Sequence, residues 1–318
     1  SGGKDGGVHV SNNKGKNWQQ NNLIPTIQGK AKSIAGIAVH DLVADPSDPN
    51  ALYLASKGAG MFYTFDLSQG WNKAKGLPNS KINAVAVDPQ SKCTIYASAG
   101  NKLFQSTDCN RSWETVYHDN DSQVGISSIA IDHYDPSQVY IGTSRGDLLK
   151  SSDRGDSWSP VKRWNKNITG IHISPHDSRV IFTTVKNKGT FRTKDRGESW
   201  TDLQDKMKDF SNSNKVRDLD IHESEEGLMF MVTNYGLLRS GDYGDSWSKI
   251  ELLTPDKKAT INAMAVNPKN PDEIYYVTET TFYRSLDGGD SWSSQALPTG
   301  RHGADLLINS KKPNIIYL

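Results

Sequence analysis

Nowhere in these 318 residues do about 18 apolar side chains run together, so no segment is built to cross a bilayer as a helix. The opening residues, Ser1-Gly2-Gly3-Lys4-Asp5, form neither a signal peptide nor a transit peptide. Charge of one sign is also missing: 37 basic side chains face 36 acidic ones, and a net charge of +1 exerts no general pull on nucleic acid or membrane. No helical period of note occurs. A Gly-rich phosphate loop, a G-x-S-x-G elbow and an EF-hand loop are absent, and no cofactor or metal is expected. Cysteine is scarce, with two in the chain. What remains is a composition, 35% hydrophobic, with material for one large core or two smaller ones.

What the chain does have is a repeat. The pattern [S/T]-x-[D/N]-x-[G/N/S]-x-x-W occurs from Ser11 to Trp18, Thr64 to Trp71, Ser106 to Trp113, Ser151 to Trp158, Thr193 to Trp200, Ser240 to Trp247 and Ser285 to Trp292. Successive tryptophans lie 53, 42, 45, 42, 47 and 45 residues apart, so one unit recurs along the whole length. A second signal lies upstream of each motif. The last apolar residue of one β-patterned run precedes an aromatic in the next by nine: Ala44 and Tyr53, Val87 and Tyr96, Ile131 and Tyr140, Ile173 and Phe182, Ile221 and Phe230, Val266 and Tyr275, Ile308 and Tyr317.

Runs such as "INAVAVDP" (Ile82 to Pro89), "TIYAS" (Thr94 to Ser98) and "KLFQS" (Lys102 to Ser106) are rich in β-branched and aromatic residues and are separated by turn signals. Each unit reads as four antiparallel strands, A to D, with the S-x-D turn between C and D: a propeller blade. The last unit supplies only strands A and B (Ala304 to Leu318), and the first residues supply only C and D (from Gly7). From the strand B aromatic to the motif Ser or Thr is 10 or 11 residues in the six uninterrupted units, and across the joined ends it would be 12. The expectation is an all-β, seven-bladed propeller, one domain over residues 1–318, whose closing blade is made from both ends of the chain. Closure removes the sheet edges that an open stack leaves bare.

The motif resembles the Asp-box, or bacterial neuraminidase repeat, in all seven units. Its residues are explained by turn chemistry. The carboxylates of Asp66, Asp108, Asp153, Asp195, Asp242 and Asp287, and the amide of Asn13, can accept backbone N–H groups. Ser11 and its equivalents cap the turn, Gly or Asn110 tolerates a positive φ at the fifth position, and Trp18, Trp71, Trp113, Trp158, Trp200, Trp247 and Trp292 cover the blade. These are structural roles. The tetrapeptide Arg154-Gly155-Asp156-Ser157, which looks like an adhesion motif, falls inside the fourth copy. Arg154 and Asp156 occupy variable positions there, so the expectation is that they only fill space.

Because the four strands are antiparallel neighbours, the A–B and C–D turns share one face of the disc, and binding is expected on the other, among variable loops. There Val161-Lys162-Arg163-Trp164-Asn165-Lys166-Asn167 holds the one tryptophan outside the motif, and Arg145, Lys186 and Lys188 lie on neighbouring loops. Arg163, Trp164, Arg145, Lys186 and Lys188 form the candidate binding patch, with Tyr235 as a further member. Such a patch suits an acidic protein segment or an anionic glycan. The alternative folds Trp164 over a blade edge. Weaker arguments attach to Met207 to Lys215, His118, Arg301 and His302. No catalytic residue is nominated. His172 and His176 have H-x-x-x-H spacing but lie off any helix, so no zinc site follows. His172 and Asp220 occupy equivalent strand A positions of adjacent blades and are expected to pair across them.

Cys93 and Cys109 fall in two turns of the third copy that share a face. A hairpin centred near Gly100 sets Thr94 opposite Ser106 and brings the cysteines together. A Cys93–Cys109 disulfide is therefore expected, and with it an extracytoplasmic, oxidising setting. Asn110, Asn120 and Asn167 head sequons.

Families that resemble this chain diverge in function. Sialidases share the motif but have six blades and an Arg-Ile-Pro signature that this chain lacks. Xyloglucan-cleaving hydrolases set their cleft between two seven-bladed propellers, with one carboxylate from each. Vps10 sortilin-type receptors have ten blades and bind peptides. Photosystem II assembly-factor-like propellers resemble this chain in size, blade number and want of catalytic motifs. That resemblance implies a monomeric, non-catalytic scaffold binding a protein or other ligand outside the cytoplasm, with a glycan-active propeller as the alternative.

Overall fold

The computed structural model describes residues 6–25, 32–254, 260–300, 303 and 305–318. They form seven four-stranded antiparallel sheets and a small ribbon, Leu23–Ile24 with Lys32–Ser33. Blades are numbered by the motif they carry, and strands run A to D from the axis outward. Blade 2 holds Val39–Ala44, Leu52–Ser56, Met61–Thr64 and Asn72–Lys73; blade 3 holds Ala84–Asp88, Ser91–Ala99, Lys102–Ser106 and Glu114–His118. Blade 4 is Ile126–Ile131, Val139–Thr143, Asp147–Ser151 and Ser159–Arg163; blade 5 is Ile168–Ile173, Ile181–Val185, Gly189–Thr193 and Thr201–Asp202. Val216–Ile221, Met229–Thr233, Leu237–Ser240 and Ser248–Lys249 make blade 6, and Ala263–Asn267, Asn270–Val277, Thr281–Ser285 and Ser293–Ala296 make blade 7.

Blade 1 closes the ring. Its strands A and B, Leu307–Ile308 and Ile316–Tyr317, come from the C-terminal part, and its strands C and D, His9–Ser11 and Gln19–Gln20, from the N-terminal part. Val10 pairs with Tyr317 and Ser11 with Ile316, and the backbones of His9 and Leu318 exchange hydrogen bonds of 2.8 and 2.9 Å.

The reason for the ring lies in strand B. In blades 2, 4, 5 and 6 every strand B residue is buried, so each face of the blade must be covered by a neighbour. The core is accordingly seven wedges, one per seam. Tyr53 and Met61 of blade 2 meet Val85 and Ile95 of blade 3, for instance, and Val8 and Val10 of blade 1 meet Leu42 and Leu54 of blade 2. Each wedge needs both blades, which is why repeats of this kind are stable only together.

The expected disulfide, Cys93–Cys109, is present. Its 16-residue separation corresponds to about 3 kcal/mol in the chain-entropy account. The register differs by one from the expectation: Ser106 faces Ile95, not Thr94, because the hairpin turns between Gly100 and Asn101. Cys109 still reaches Cys93 through its own N–H, 3.2 Å from the Cys93 carbonyl.

Candidate functional site

The repeated turns show which residues are committed to the scaffold. In the fourth copy, Asp153 Oδ1 accepts the Ser151 hydroxyl at 2.7 Å and the Ser157 N–H at 2.9 Å, while Ser151 Oγ accepts the Gly155 N–H at 2.7 Å. Asp108, Asp195, Asp242 and Asp287 repeat this arrangement, and Asn13 replaces the carboxylate in the first copy. A serine at the seventh position, unnoticed in the sequence pattern, donates its hydroxyl to the other carboxylate oxygen in five copies: Ser112, Ser157, Ser199, Ser246 and Ser291. That hydroxyl, and the N–H of the same residue, hold Asp108, Asp153, Asp195 and Asp287 down to about 2. The tryptophan N–H closes the turn on the fifth-position carbonyl in Trp158, Trp200 and Trp247. Trp18 and Trp113 leave that group without a partner.

The second copy departs from the rule. Ser68 stands where glycine is needed, Leu67–Gln69 winds into a 3-10 turn, and Asp66 accepts from Ser68 N–H instead. Trp71 there is fully buried and bonds the Asn21 carbonyl.

The fourth position of the turn is not a mere filler, which corrects the reading of the Arg-Gly-Asp stretch. Lys14, Cys109, Arg154, Arg196 and Tyr243 all hold φ near +60° there, a left-handed conformation that costs of order 1 kcal/mol outside glycine. The contacts made offset it. Arg154 donates to the almost fully buried Asp88 of the preceding blade at 2.9 Å, and its carbonyl accepts the Tyr96 hydroxyl at 2.7 Å. Lys14 does the same to Glu273 of blade 7, and Tyr243 meets Ser174 of blade 5. Arg154 is thus a latch between blades 3 and 4.

On the opposite face the basic arc is organised around a carboxylate. Asp147, 5% exposed at the start of strand C of blade 4, accepts Arg145 Nε at 2.7 Å on one oxygen and Arg163 Nε on the other. Arg145 also reaches Asp119 of blade 3 at 3.0 Å. Burial pushes Asp147 up, but the bonds from Arg163 and Arg145 outweigh it and hold it below the usual range. Because each arginine spends its Nε on Asp147, the terminal nitrogens of Arg163 are left toward solvent, with the side chain 58% exposed. Lys186 and Lys188 stand exposed on the B–C turn of blade 5, and Lys188 Nζ bonds the Trp164 carbonyl at 3.0 Å. Trp164 is the exception: 5% exposed, it packs edge-on against Trp200 and tilted on Phe191 in the seam between blades 4 and 5. Its ring is a strut of the core: strand D of blade 4 ends at Arg163, and the next residue packs among side chains of both blades. Tyr235 is half-buried against Phe210, with Met207 of the same segment fully buried in the seam. His118 is exposed at the end of strand D of blade 3, and Arg301 and His302 lie outside the described residues.

Sequence reasoning gave little notice to the central channel. Strands A stand around the axis, and the third residue before the last apolar one is Asp41 in blade 2, Asp218 in blade 6 and Asp305 in blade 1. The inner edge of strand A has no neighbouring strand, so its amides need other acceptors. Asp305 Oδ2 accepts the Leu42 N–H of the next blade at 2.8 Å, and Asp218 Oδ2 accepts that of Met264 at 3.3 Å. Asp220 serves Val266 in the same way. Enclosure, then the charge of Asp305, raises Asp218 to about 7; enclosure and Glu223 raise Asp220 to about 6. Asp41 shares a hydrogen bond with Asp305 and is raised by burial and that neighbour. Burial alone lowers His172 to about 4, with no bond to Asp220, so the expected pair across blades does not form. His172 instead lies over Gly170, where a methyl group would meet its ring at 2.5 Å. His176 bonds the His222 carbonyl. The channel opens on the face of the repeated turns as a vestibule of about 670 Å³, walled by Pro46, Pro89, Ile131 and Ile173, and on the other face as a cavity of about 720 Å³ beside His40, Lys57 and Glu279. Among the described residues, no group of three His, Cys, Asp or Glu is placed to hold a metal ion.

The channel predicts a pH dependence. A carboxyl raised in the folded state favours folding below its unfolded value near 4, and that contribution is lost as pH rises through 6 and 7. His172 acts in the opposite sense, but only below about 6.5. Between pH 6.5 and 8.5 these two groups lose about 1 kcal/mol, so the melting temperature should fall by about one to two degrees, and Asp218→Asn with Asp220→Asn should flatten the slope. A wild-type melting temperature constant over this range, read by calorimetry, would contradict the assignment.

Three comparisons bear on these surfaces. The model of the family "Sortilin-Vps10: Sortilin, neurotensin receptor 3" matches residues 101–227. The oligoxyloglucan-reducing end-specific xyloglucanase of Emericella nidulans is 27% identical over 82 residues, which are 24% of this chain and 10% of that protein. Among solved structures, the GH74 xyloglucanase from Xanthomonas campestris has a TM-score of 0.69 at 17% identity, over 86% of this chain and 49% of that one. This chain thus spans about half of that structure and a tenth of the matched curated relative. YCF48 from Cyanidioschyzon merolae has a TM-score of 0.66 at 13% identity, over 93% of this chain and 97% of that one. YCF48 bound to D1 peptide gives 0.67 at 15%, over 88% and 92%. At these identities the structural likeness speaks for the fold.

Proposed function

We propose that this chain is a non-catalytic binding propeller that works outside the cytoplasm and takes an acidic protein segment on the face opposite the repeated turns. The observation that carries the reading is the fork at Asp147. One buried carboxylate fixes two arginines by their Nε atoms; Arg145 is held by Asp119 as well, and Arg163 is left with its terminal nitrogens toward solvent, a preorganised anion receptor flanked by Lys186 and Lys188. Tyr235 belongs to the same face, and Trp164 supports the loop from beneath. The disulfide supports an oxidising compartment, and YCF48 bound to D1 peptide is a propeller of similar fold with a peptide ligand.

Arg145→Ala with Arg163→Ala is the test. An acetylated hexaglutamate peptide should bind the wild type in a salt-dependent manner and the variant at least tenfold more weakly, with the melting temperature little changed; equal binding would remove the arc from consideration. The second reading, a glycan-active propeller, is favoured by the 82-residue likeness to xyloglucanases. Such an enzyme needs carboxyls roughly 5 to 9.5 Å apart, and Asp41 with Asp305, which share a hydrogen bond, stand too close to be that pair. Cleavage of xyloglucan oligosaccharides, followed by chromatography, would overturn the non-catalytic reading.

A further inference from the structure

On the premise that the arginine arc seats an acidic segment, we infer that the segment also carries an aromatic side chain, which enters a pocket at the rim between blades 4 and 5. The pocket encloses about 470 Å³ and is lined by Lys162, Trp164, Lys188, Phe191, Trp200 and Asp202.

Its walls are rings with surface to offer. Trp164 stands edge-on to Trp200, with centroids 5.0 Å apart and planes at 88°, and lies tilted on Phe191 at 5.3 Å and 42°. Trp164 is buried, whereas Phe191 and Trp200 are only partly so. Trp200 spends its N–H on the Gly197 carbonyl at 3.0 Å, so what it presents to the pocket is apolar ring. The neighbouring seam shows what fits beside such a tryptophan. Leu148 pairs with Lys162 as Leu103 of blade 3 pairs with Tyr117, and Tyr117 lies edge-on to Trp158 at 5.7 Å. Blade 3 thus supplies a ring of its own at this register; blade 4 has a lysine there, and a cavity remains beside Trp164.

Position joins the pocket to the arc. Residues 162–164 continue the line of strand D, the Trp164 N–H bonding the Gly146 carbonyl at 2.8 Å, so their side chains alternate. Lys162 and Trp164 turn to the pocket, and Arg163 between them turns to Asp147. An extended chain covers about 10 Å in three residues, so one segment can set a carboxylate at Arg163 and a ring in the pocket. Charge favours the same occupant. Lys162 and Lys188 line the pocket, and its one carboxylate, Asp202, accepts the Gln204 N–H at 2.9 Å. A third aromatic ring enters a right-angled corner edge to face, whereas a pyranose needs a flat platform.

Two acetylated peptides of equal charge, Glu-Glu-Glu-Phe-Glu-Glu and Glu-Glu-Glu-Ala-Glu-Glu, make the test by isothermal titration calorimetry. The wild type should bind the phenylalanine peptide about tenfold more tightly, the effect of burying one large apolar side chain. That peptide alone should shift the indole N–H signals of Trp164 and Trp200 in isotope-labelled protein. Lys162→Tyr gives blade 4 the ring that blade 3 uses, so the fold should hold and the preference for phenylalanine should disappear. Arg145→Ala with Arg163→Ala should weaken both peptides and keep their ratio. A ratio near one in the wild type, a preference kept by Lys162→Tyr, or indole shifts from an oligogalacturonate and not from the phenylalanine peptide would each overturn the pocket. The arc would still stand as long as the arginine variant binds the alanine peptide more weakly. If that variant binds it as the wild type does, the arc falls and the ratio still judges the pocket; binding of neither peptide overturns both.

Discussion

A chain lacking residues 1–20 is expected to lose its cooperative unfolding transition. The deletion removes strands C and D of blade 1, and with them Val8 and Val10 from the wedge against blade 2 and Trp18 from its edge-on contact with Phe282. It also strips strand Ile316–Tyr317 of the pairing that covers its outer edge. Two seams fail together, because blade 1 is the link between blades 7 and 2. The cost should exceed about 5 kcal/mol, comparable to the whole net stability of an ordinary domain. The bared strand edge is a template for pairing with other chains, so size-exclusion with light scattering should show oligomers. A permuted chain, with residues 6–25 moved to follow Leu318 and the new start at Lys32, keeps both strands of blade 1 and should melt as the wild type does. A truncated chain that melts cooperatively near the wild-type temperature would contradict closure by this blade.

The second large effect belongs to Trp71. Replacing it by alanine should cost about 4 kcal/mol in urea unfolding, from lost burial and a cavity in the wedge between blades 1 and 2. The Asn21 carbonyl would lose its donor as well, and the ribbon strand Leu23–Ile24 is tied to the same residue through the Trp71 N–H, 2.8 Å from the Leu23 carbonyl. Trp292→Ala is the contrast. That ring is only partly buried and donates to Glu251 near the surface, so its loss should cost about half as much or less. Equal losses for the two variants would mean that the departure of the second turn from the common geometry has no energetic weight.

The difference between these tryptophans illustrates what was legible in the chain. Seven copies of one motif announce seven turns because the turn is bonded locally: Ser151, Asp153, Gly155 and Trp158 satisfy one another within eight residues. The nine-residue spacing from strand A to strand B is equally local. The complementarity of the two ends was legible for another reason: each end carries half of the repeated unit, although Val10 and Tyr317 pair across the whole length of the chain. Position four of the turn was not legible, since Arg154 finds Asp88 some 66 residues away. For Trp164 the sequence leaves two readings open, an aromatic of the binding patch or a ring folded over a blade edge, and the contacts with Phe191 and Trp200 of the next blade decide for the second.

The sequence determined the repeat, the strand order within a blade, the number of blades and the disulfide, each of which rests on bonds between residues close in the chain. Only the tertiary structure decided how blades meet. It set Asp147 between two arginines, gathered Asp41, Asp218 and Asp305 around the axis, and turned the buried amide of Asn110 toward Tyr53 of the preceding blade. Those contacts are made between units some 45 residues apart, and a side chain's partner in the next blade depends on the ring being closed.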